Sequence, residues 1–242
     1  MFKPCVFLDI DNTVLDFSTA EEKALKRVFF EKGIPFDDAM IGHFRIINDY
    51  CWQQLETGGM TRTQVLYGRF EKLFREEGIT RADPVSVQDD YENYLTERHY
   101  FMPGAEIVLE SLSKSYRLFA VSNCNAATQA KRIASAKLQQ WFEQFFVSET
   151  IGAEKPTKAF FDICFGQIQD FDKNSAVIVG DSLTSDILGG INAGISTVWL
   201  NYRNATVKPD IQPDYIIQML SELPVLLENH FGRINGEKND EQ

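Results

Sequence analysis

The chain has 242 residues, and its 44% hydrophobic content is sufficient for one large or two modest domains with a buried core. The 35 acidic and 24 basic residues give a net charge of −11, which argues against a nucleic acid or an anionic membrane as a partner. No apolar run is long enough to span a bilayer, and the N-terminal residues do not resemble a signal peptide.

The cysteines and histidines indicate the environment of the protein. The four cysteines are far apart and lack metal-ligand spacing, and Cys5 and Cys164 lie in apolar runs typical of buried thiols. Free thiols suit a reducing compartment, so we expect a cytoplasmic location. The three histidines are scattered, which argues against a histidine-based metal site.

After a first apolar run at Lys3–Leu8, residues 16–101 contain no run typical of a strand. Helical patterns predict a bundle of four helices there. The first helix is expected to begin at the capping boxes Ser18-x-x-Glu21 and Thr19-x-x-Glu22 and to end near Gly33. The third is expected to begin at the capping box Thr61-x-x-Gln64 and to end near Gly78. The second and fourth are expected at Asp38–Leu55 and Ser86–Arg98.

Strand and helix patterns alternate after residue 103, which predicts right-handed βαβ units and a parallel sheet. A doubly wound strand order of 3-2-1-4-5 would place strand 1 beside strand 4. The expected strands are Lys3–Leu8, Arg117–Val121, Phe145–Ser148, Ala176–Val179 and Thr197–Leu200, and the expected helices are Gly104–Ser115, Ala126–Leu138, Thr157–Gln169 and Ser185–Ala193.

Two carboxylates, Asp9 and Asp11, follow the first predicted strand. Their spacing points both side chains the same way, and desolvating each charge costs several kcal/mol unless something compensates it. A divalent cation is the usual compensation, whereas a solvated turn is the simpler alternative. Asp181 follows the fourth strand and has the same need for a partner, and Asp186 either supports it or lies at a helix start as a favourable charge.

Two further segments offer groups that suit a phosphate. Ser122 and Asn123 end the second strand with a hydroxyl and an amide, which either bind a phosphate or cap the next helix. Lys155 precedes Pro156 and a helix, and it is either a fixed cation beside a phosphate or a solvated surface lysine.

These four segments, in this order, resemble the haloacid dehalogenase superfamily, whose commonest members are Mg2+-dependent phosphatases. The resemblance implies a Rossmann-like core of residues 1–15 and 102–231, a helical cap of residues 16–101 and a flexible tail of residues 232–242.

The resemblance also implies roles. Asp9 would be the nucleophile, Asp11 the general acid and base, and Ser122 and Lys155 would hold the phosphoryl oxygens. Mg2+ would bind Asp9, the main-chain carbonyl of Asp11 and Asp181, with Asp186 acting through water or by orienting Asp181. Because dehalogenases lack an acid at the position of Asp11, its presence favours phosphate esters, and phosphomutase activity or phosphate binding without turnover remain alternatives.

A narrower resemblance, to the pyrimidine 5′-nucleotidase family, rests on Trp52, Gly59–Thr61, Gly68–Phe70 and Ser185–Gly194. It implies a small phosphorylated partner, a nucleoside 5′-monophosphate with pyrimidines preferred, bound with the help of Asn123 and Trp52. Trp52 would either stack on a base or pack within the cap, and a sugar phosphate is the alternative substrate. The oligomeric state is not fixed by these patterns.

Overall fold

The computed structural model describes the backbone of residues 3–240 and the side chains of residues 3–232. Contacts divide it into two compact units. The core unit comprises residues 3–16, Phe101–Ala126 and 137–240, and the helical unit comprises Phe17–Tyr100 and Ala127–Ala136. The helical unit therefore includes a segment beyond the range 16–101 that the sequence suggests for a cap.

The core unit contains a parallel sheet whose strand order is β3-β2-β1-β4-β5-β6. The predicted order of the first five strands is confirmed, and β6 extends the sheet by three residues that are too few for a periodic signal. The strands are β1 (Cys5–Asp9), β2 (Arg117–Ser122), β3 (Gln144–Val147), β4 (Ala176–Gly180), β5 (Ser196–Leu200) and β6 (Tyr215–Ile217).

The helices are α1 (Phe17–Glu31), α2 (Asp38–Glu56), α3 (Arg62–Glu76), α4 (Pro84–Glu97), α5 (Ala105–Ser115), α6 (Ala126–Ser135), α7 (Ser148–Ile151), α8 (Lys158–Gly166), α9 (Leu188–Ala193) and α10 (Leu223–Asp240). The helix expected at Ser185–Ala193 begins earlier, with a π-helical turn at Leu183–Ile187 that leads into α9. The backbone of α10 continues through most of the segment expected to be a flexible tail, and residues 241 and 242 lie outside the described residues.

The register of the sheet aligns the carboxyl ends of its central strands. Asp9 in β1 pairs with Val121 in β2, and Leu8 pairs with Val179 in β4. Apart from Arg117 at the start of β2, the strands β1, β2 and β4 are buried and apolar up to their carboxyl ends, as is typical of parallel strands covered on both faces. The sheet therefore brings the ends of β1, β2 and β4 to the same edge.

The helical unit packs around its own apolar core, which includes Leu25, Phe44, Phe70 and Tyr91. The capping box predicted at Thr61 is confirmed by reciprocal hydrogen bonds with Gln64 of 3.3 and 2.8 Å.

The two capping boxes predicted at Ser18 and Thr19 are wrong, because α1 begins at Phe17 and both residues lie inside its first turn. The Glu21 carboxylate is buried and accepts a hydrogen bond of 3.1 Å from Arg45. The Glu21 side chain therefore forms a tertiary contact with Arg45 on α2 instead of the capping contact that the local pattern predicts. Among the described residues, no helix combines the length and apolarity needed to cross a membrane.

Candidate active site at the carboxyl edge of the sheet

A tight turn follows β1 and fixes the first two carboxylates. Asp9 is the last residue of β1 and is 6% exposed. The amides of Val14 and Leu15 both donate to the Ile10 carbonyl, at 3.0 and 2.8 Å, and Asn12 adopts a positive φ of 64°. This turn keeps the half-buried Asp11 close enough to Asp9 for its charge to raise the pKa of Asp9.

Lys155 is the buried cation of this edge and is only 1% exposed. Its Nζ atom lies 2.8 Å from Oδ1 of Asp9, 2.7 Å from Oδ1 of Asp186 and 3.2 Å from the Val121 carbonyl oxygen. These three acceptors match the three N–H donors of an ammonium group. Lys155 is therefore not the solvated surface lysine that the sequence left open.

The segment after β4 supplies the remaining carboxylates. Asp181 is half-buried, and its main-chain carbonyl accepts a 2.8 Å hydrogen bond from the Trp199 indole. The π-helical turn returns Asp186 toward the strand end, where its Oδ2 accepts from the Ser182 amide at 3.1 Å. A Cβ atom on Gly180 would lie 2.2 Å from that oxygen, so glycine at this position leaves the space that the carboxylate fills.

Ser122 ends β2 at the same edge, and Asn123 directly follows it. Ser122 is 1% exposed. The Asn123 carboxamide accepts from the Lys155 amide at 2.9 Å and donates to the Lys155 carbonyl at 2.8 Å and to the Ser185 hydroxyl at 3.3 Å. Both of its amide hydrogens are thus used within the protein, and the expected contact of Asn123 with substrate stays a prediction.

The electrostatics of the site reflect crowded carboxylates. Burial raises the pKa of Asp9 to about 7, with Asp186 and Asp11 adding to the rise and Lys155 opposing it. Burial also raises the pKa of Asp181 well above its usual value, and Asp9 and Asp186 contribute in the same direction. Burial alone would lower the pKa of Lys155, but the Asp186 and Asp9 carboxylates outweigh it and raise that pKa.

We call Asp9, Lys155, Asp181 and Asp186 the strand-edge cluster. One carboxylate oxygen from each of its three aspartates lies within 4.8 Å of the other two. When all are ionised, three negative charges and one positive charge leave two negative charges unbalanced. Oxygen ligands and this imbalance fit a hard divalent cation such as Mg2+, which would also lower the raised carboxylate pKa values.

Trp52 lies in the helical unit, on α2. It is half-buried and packs against the apolar core of that unit. This contact accounts for part of its surface, and stacking of the ring on a substrate base stays a prediction.

Two contributors to the site have no signal in the sequence. Trp199 reads as an apolar residue of β5, although its indole holds the main chain of Asp181. Ser185 reads as the first residue of the expected helix Ser185–Ala193, although its hydroxyl accepts a hydrogen bond from Asn123. The role of Ser182 as a helix cap was readable, because serine is favoured there and its side chain accepts from the Ser185 amide.

A doubly wound parallel sheet with acidic groups and a buried lysine at its carboxyl edge defines an α/β protein with a polar centre where such folds bind ligands. The family model for haloacid dehalogenase-like hydrolases matches residues 6–200. The chain belongs to this family and is a hydrolase, as the resemblance predicts.

Three bacterial relatives align over most of the chain. The HAD-hydrolase YfnB of Bacillus subtilis is 37% identical and covers 90% of this chain and 92% of its own. The crystal structure of YfnB bound to magnesium has a TM-score of 0.88 and covers 94% of this chain and 99% of its own. The pyrimidine 5′-nucleotidases PynA of Streptococcus pneumoniae and YjjG of Escherichia coli are 33% and 29% identical, cover 92% and 93% of this chain, and align over 94% and 98% of their own lengths.

Proposed function

We propose that the protein is a Mg2+-dependent phosphomonoesterase that acts through an aspartyl-phosphate on Asp9, with pyrimidine nucleoside 5′-monophosphates as its preferred substrates. The observation that carries the chemistry is the buried contact of Lys155 with Asp9 at 2.8 Å and with Asp186 at 2.7 Å. The substrate class is supported by PynA and YjjG, which are named pyrimidine 5′-nucleotidases.

In the first step, a carboxylate oxygen of Asp9 attacks the phosphorus atom, and the bond from phosphorus to the ester oxygen breaks. Asp11 donates its proton to the departing alkoxide, which leaves as the nucleoside hydroxyl. Asp9 now carries the phosphoryl group as an acyl phosphate.

In the second step, Asp11 takes a proton from water while the water oxygen attacks phosphorus. The bond from phosphorus to Asp9 breaks, which releases inorganic phosphate and restores both aspartates. Atoms and charges therefore balance over the cycle without another reactant.

The other residues of the proposed site hold charge in place. Lys155 orients Asp9 and supplies positive charge beside the phosphoryl oxygens, while Ser122 binds one of these oxygens as charge develops on it. Mg2+, when bound by Asp9, the Asp11 carbonyl and Asp181, supplies positive charge that offsets the carboxylates and the phosphate. Asp186 orients Lys155, and its own oxygens are held by that lysine and by the Ser182 amide.

The test of the chemistry is phosphate release by the purified protein. We expect turnover with Mg2+, its loss in EDTA and its return when Mg2+ is added. Asp181→Ala should raise the Mg2+ concentration needed for half-maximal rate by about 10- to 100-fold. Full activity in chelator would refute the metal requirement, and phosphate binding without turnover would favour a binding protein.

The test of the substrate is kcat/KM for UMP, dTMP, AMP and a set of sugar phosphates. We expect UMP and dTMP to be preferred. If Trp52 stacks on the base, Trp52→Ala should raise KM for UMP, consistent with about 1–3 kcal/mol per stacked base, and leave small sugar phosphates unaffected. A sugar phosphate that is preferred by about tenfold would overturn the nucleotide assignment and leave the phosphatase chemistry intact.

A cytoplasmic location is part of this proposal. It is supported by the four cysteines, none of which forms a disulfide among the described residues, and by the raised pKa values of the buried Cys5 and Cys164 thiols, which keep both groups protonated.

A further inference from the structure

The side chain of Asn123 joins three segments of the core unit. Its oxygen accepts from the Lys155 amide at 2.9 Å, and its nitrogen donates to the Lys155 carbonyl at 2.8 Å and to the Ser185 hydroxyl at 3.3 Å. The two bonds to Lys155 are reciprocal and hold both polar groups of one residue's main chain. A carboxamide has two N–H donors, and both are used here.

The segments that Asn123 connects carry the Lys155 and Asp186 side chains, which form ion pairs beside Asp9. The main chain of Lys155 is hydrogen-bonded to Asn123, and its side chain contacts Asp9 and Asp186. This side chain is almost completely buried. Ser185 directly precedes Asp186 on the π-helical turn. One carboxamide at the end of β2 therefore fixes the starting points of both side chains that form the ion pairs beside Asp9.

Small displacements of these starting points would matter. The contacts of the Lys155 ammonium with Asp9 and Asp186 are 2.8 and 2.7 Å, so they have little room to lengthen before the hydrogen bonds are lost. A misplacement of about 1 Å in a reacting group can cost about 10²-fold in rate.

We propose that Asn123 is a positioning residue that holds Lys155 and the Asp186 turn in register with Asp9, rather than a residue whose side chain binds substrate. This inference rests on the proposed function for its kinetic consequence, but its geometric consequence is independent of turnover. Asn123 acts through Lys155, so its loss lowers the rate of the chemical step and not the affinity for the organic part of a substrate.

The first experiment compares two asparagines that donate to neighbouring main-chain carbonyls. Asn123→Ala removes the connection to Lys155, and Asn192→Ala removes an exposed bond of 3.0 Å to the carbonyl of Pro156, the next residue. We expect Asn123→Ala to lower kcat by about 10- to 100-fold with KM within about threefold of wild type. Asn192→Ala should match wild type in both.

A second readout does not depend on activity. Lys155 should resist acetylation by an amine-reactive ester in the wild-type protein, because its Nζ is buried among three acceptors. In folded Asn123→Ala, mass spectrometry should show faster acetylation of Lys155, while Asn192→Ala should retain the wild-type rate. If the wild-type protein shows no turnover, the proposed function fails and this labelling still decides the inference.

A smaller substitution, Ser185→Ala, tests the inference if Asn123→Ala does not fold. Ser185→Ala removes only the 3.3 Å contact with the Asn123 amide, and kcat should fall several-fold with KM unchanged. A tenfold rise in KM with kcat retained in Asn123→Ala would instead assign Asn123 to substrate binding. Wild-type kcat in folded Asn123→Ala would overturn the inference, as would unchanged protection of Lys155 in that variant. If Asn123→Ala does not fold, wild-type kcat in Ser185→Ala would overturn it.

Discussion

The two units of this protein each bury a cation, and they neutralise it in different ways. In the strand-edge cluster, Lys155 contacts two carboxylates directly, and a third lies close by. In the helical unit, Arg69 is 2% exposed and donates to the neutral amide oxygens of Asn48 and Gln88 at 2.8 and 2.9 Å. We call Glu21, Asn48, Arg69 and Gln88 the helical polar cluster.

The helical polar cluster compensates Arg69 with neutral and aromatic groups and with one carboxylate, because its guanidinium also lies 3.8 Å from Glu92. The Arg69 guanidinium lies 5.0 Å from the centre of the Tyr91 ring, and Asn48 donates to the Glu21 carboxylate at 3.3 Å. Glu21 also accepts from Arg45, so its charge is compensated. The strand-edge cluster has an excess of two negative charges when ionised. Burial of a charge is thus common to both units, and the excess of negative charge is what distinguishes the strand-edge cluster.

The largest expected effect tests whether the chemistry belongs to the strand-edge cluster. Asp9→Asn keeps the shape of the side chain and removes the anionic nucleophile, so turnover should fall by about 10⁴-fold or more. Phosphate release by freshly purified protein measures this, with mass spectrometry to exclude deamidation and circular dichroism to confirm folding. Turnover close to wild type would refute a covalent role for Asp9.

The comparison of the two buried cations predicts different losses. Lys155→Met leaves Asp9 and Asp186 buried without their cation, which should cost about 3–5 kcal/mol of unfolding free energy and abolish activity. Arg69→Met leaves two neutral amide oxygens unsatisfied and removes the cation 3.8 Å from the Glu92 carboxylate. The two amide oxygens should cost about 1–3 kcal/mol each, while kcat remains within about threefold. Urea unfolding and kcat, measured where each variant is folded, provide the test.

Mg2+ supplies the control for this pair. Removing Lys155 increases the negative charge of the strand-edge cluster, so Mg2+ should stabilise Lys155→Met more than it stabilises wild type. Arg69→Met should respond to Mg2+ as wild type does. Equal stabilisation of the two variants would show that the charge imbalance is not what binds the cation.

An intermediate effect distinguishes Asp11 from Asp9. Loss of a general acid costs about 10²- to 10⁴-fold, and the loss should be greatest for alkyl phosphates because their leaving groups need a proton. Asp11→Asn should therefore impair UMP hydrolysis more than p-nitrophenyl phosphate hydrolysis, measured where phosphorylation limits the rate. An equal loss for both substrates would remove Asp11 from the role of acid.

The smallest expected effect concerns pH. The pKa of Asp9 rises from 3.8 to about 7 on folding, so the folded state binds more protons than the unfolded state between these values. This group therefore lowers stability as pH rises from about 4 to about 7, and the raised pKa of Lys155 keeps that residue charged throughout.

The measurement is the urea midpoint of wild type and Asp9→Asn in EDTA across this pH range. Wild type should lose more stability than Asp9→Asn as pH rises, and Mg2+ should reduce the difference because it holds Asp9 ionised in the folded state. The same pH dependence in both proteins would show that Asp9 does not titrate in this window.

The sequence by itself determined the parallel sheet, its first five strands in order, and the residues that gather at its carboxyl edge. Apolar runs such as Cys5–Leu8 and Ala176–Gly180 specify buried strands, and the direction of a parallel strand fixes the edge at which its last residue lies. Asp9 and Asp181 were therefore placed near one another by patterns that are local in the chain.

Tertiary structure alone decided how the charges are paired. The local sequence around Lys155 is compatible with a surface lysine, and only the approach of segments 146 and 31 residues away makes it a buried bridge between Asp9 and Asp186. In the same way, Glu21 has the spacing of a capping residue, but its carboxylate accepts a hydrogen bond from Arg45 on another helix instead. The hydrogen bonds of Asn123 reach 32 and 62 residues along the chain, and such long-range partners have no local signal because they depend on side chains that meet only after the sheet has formed.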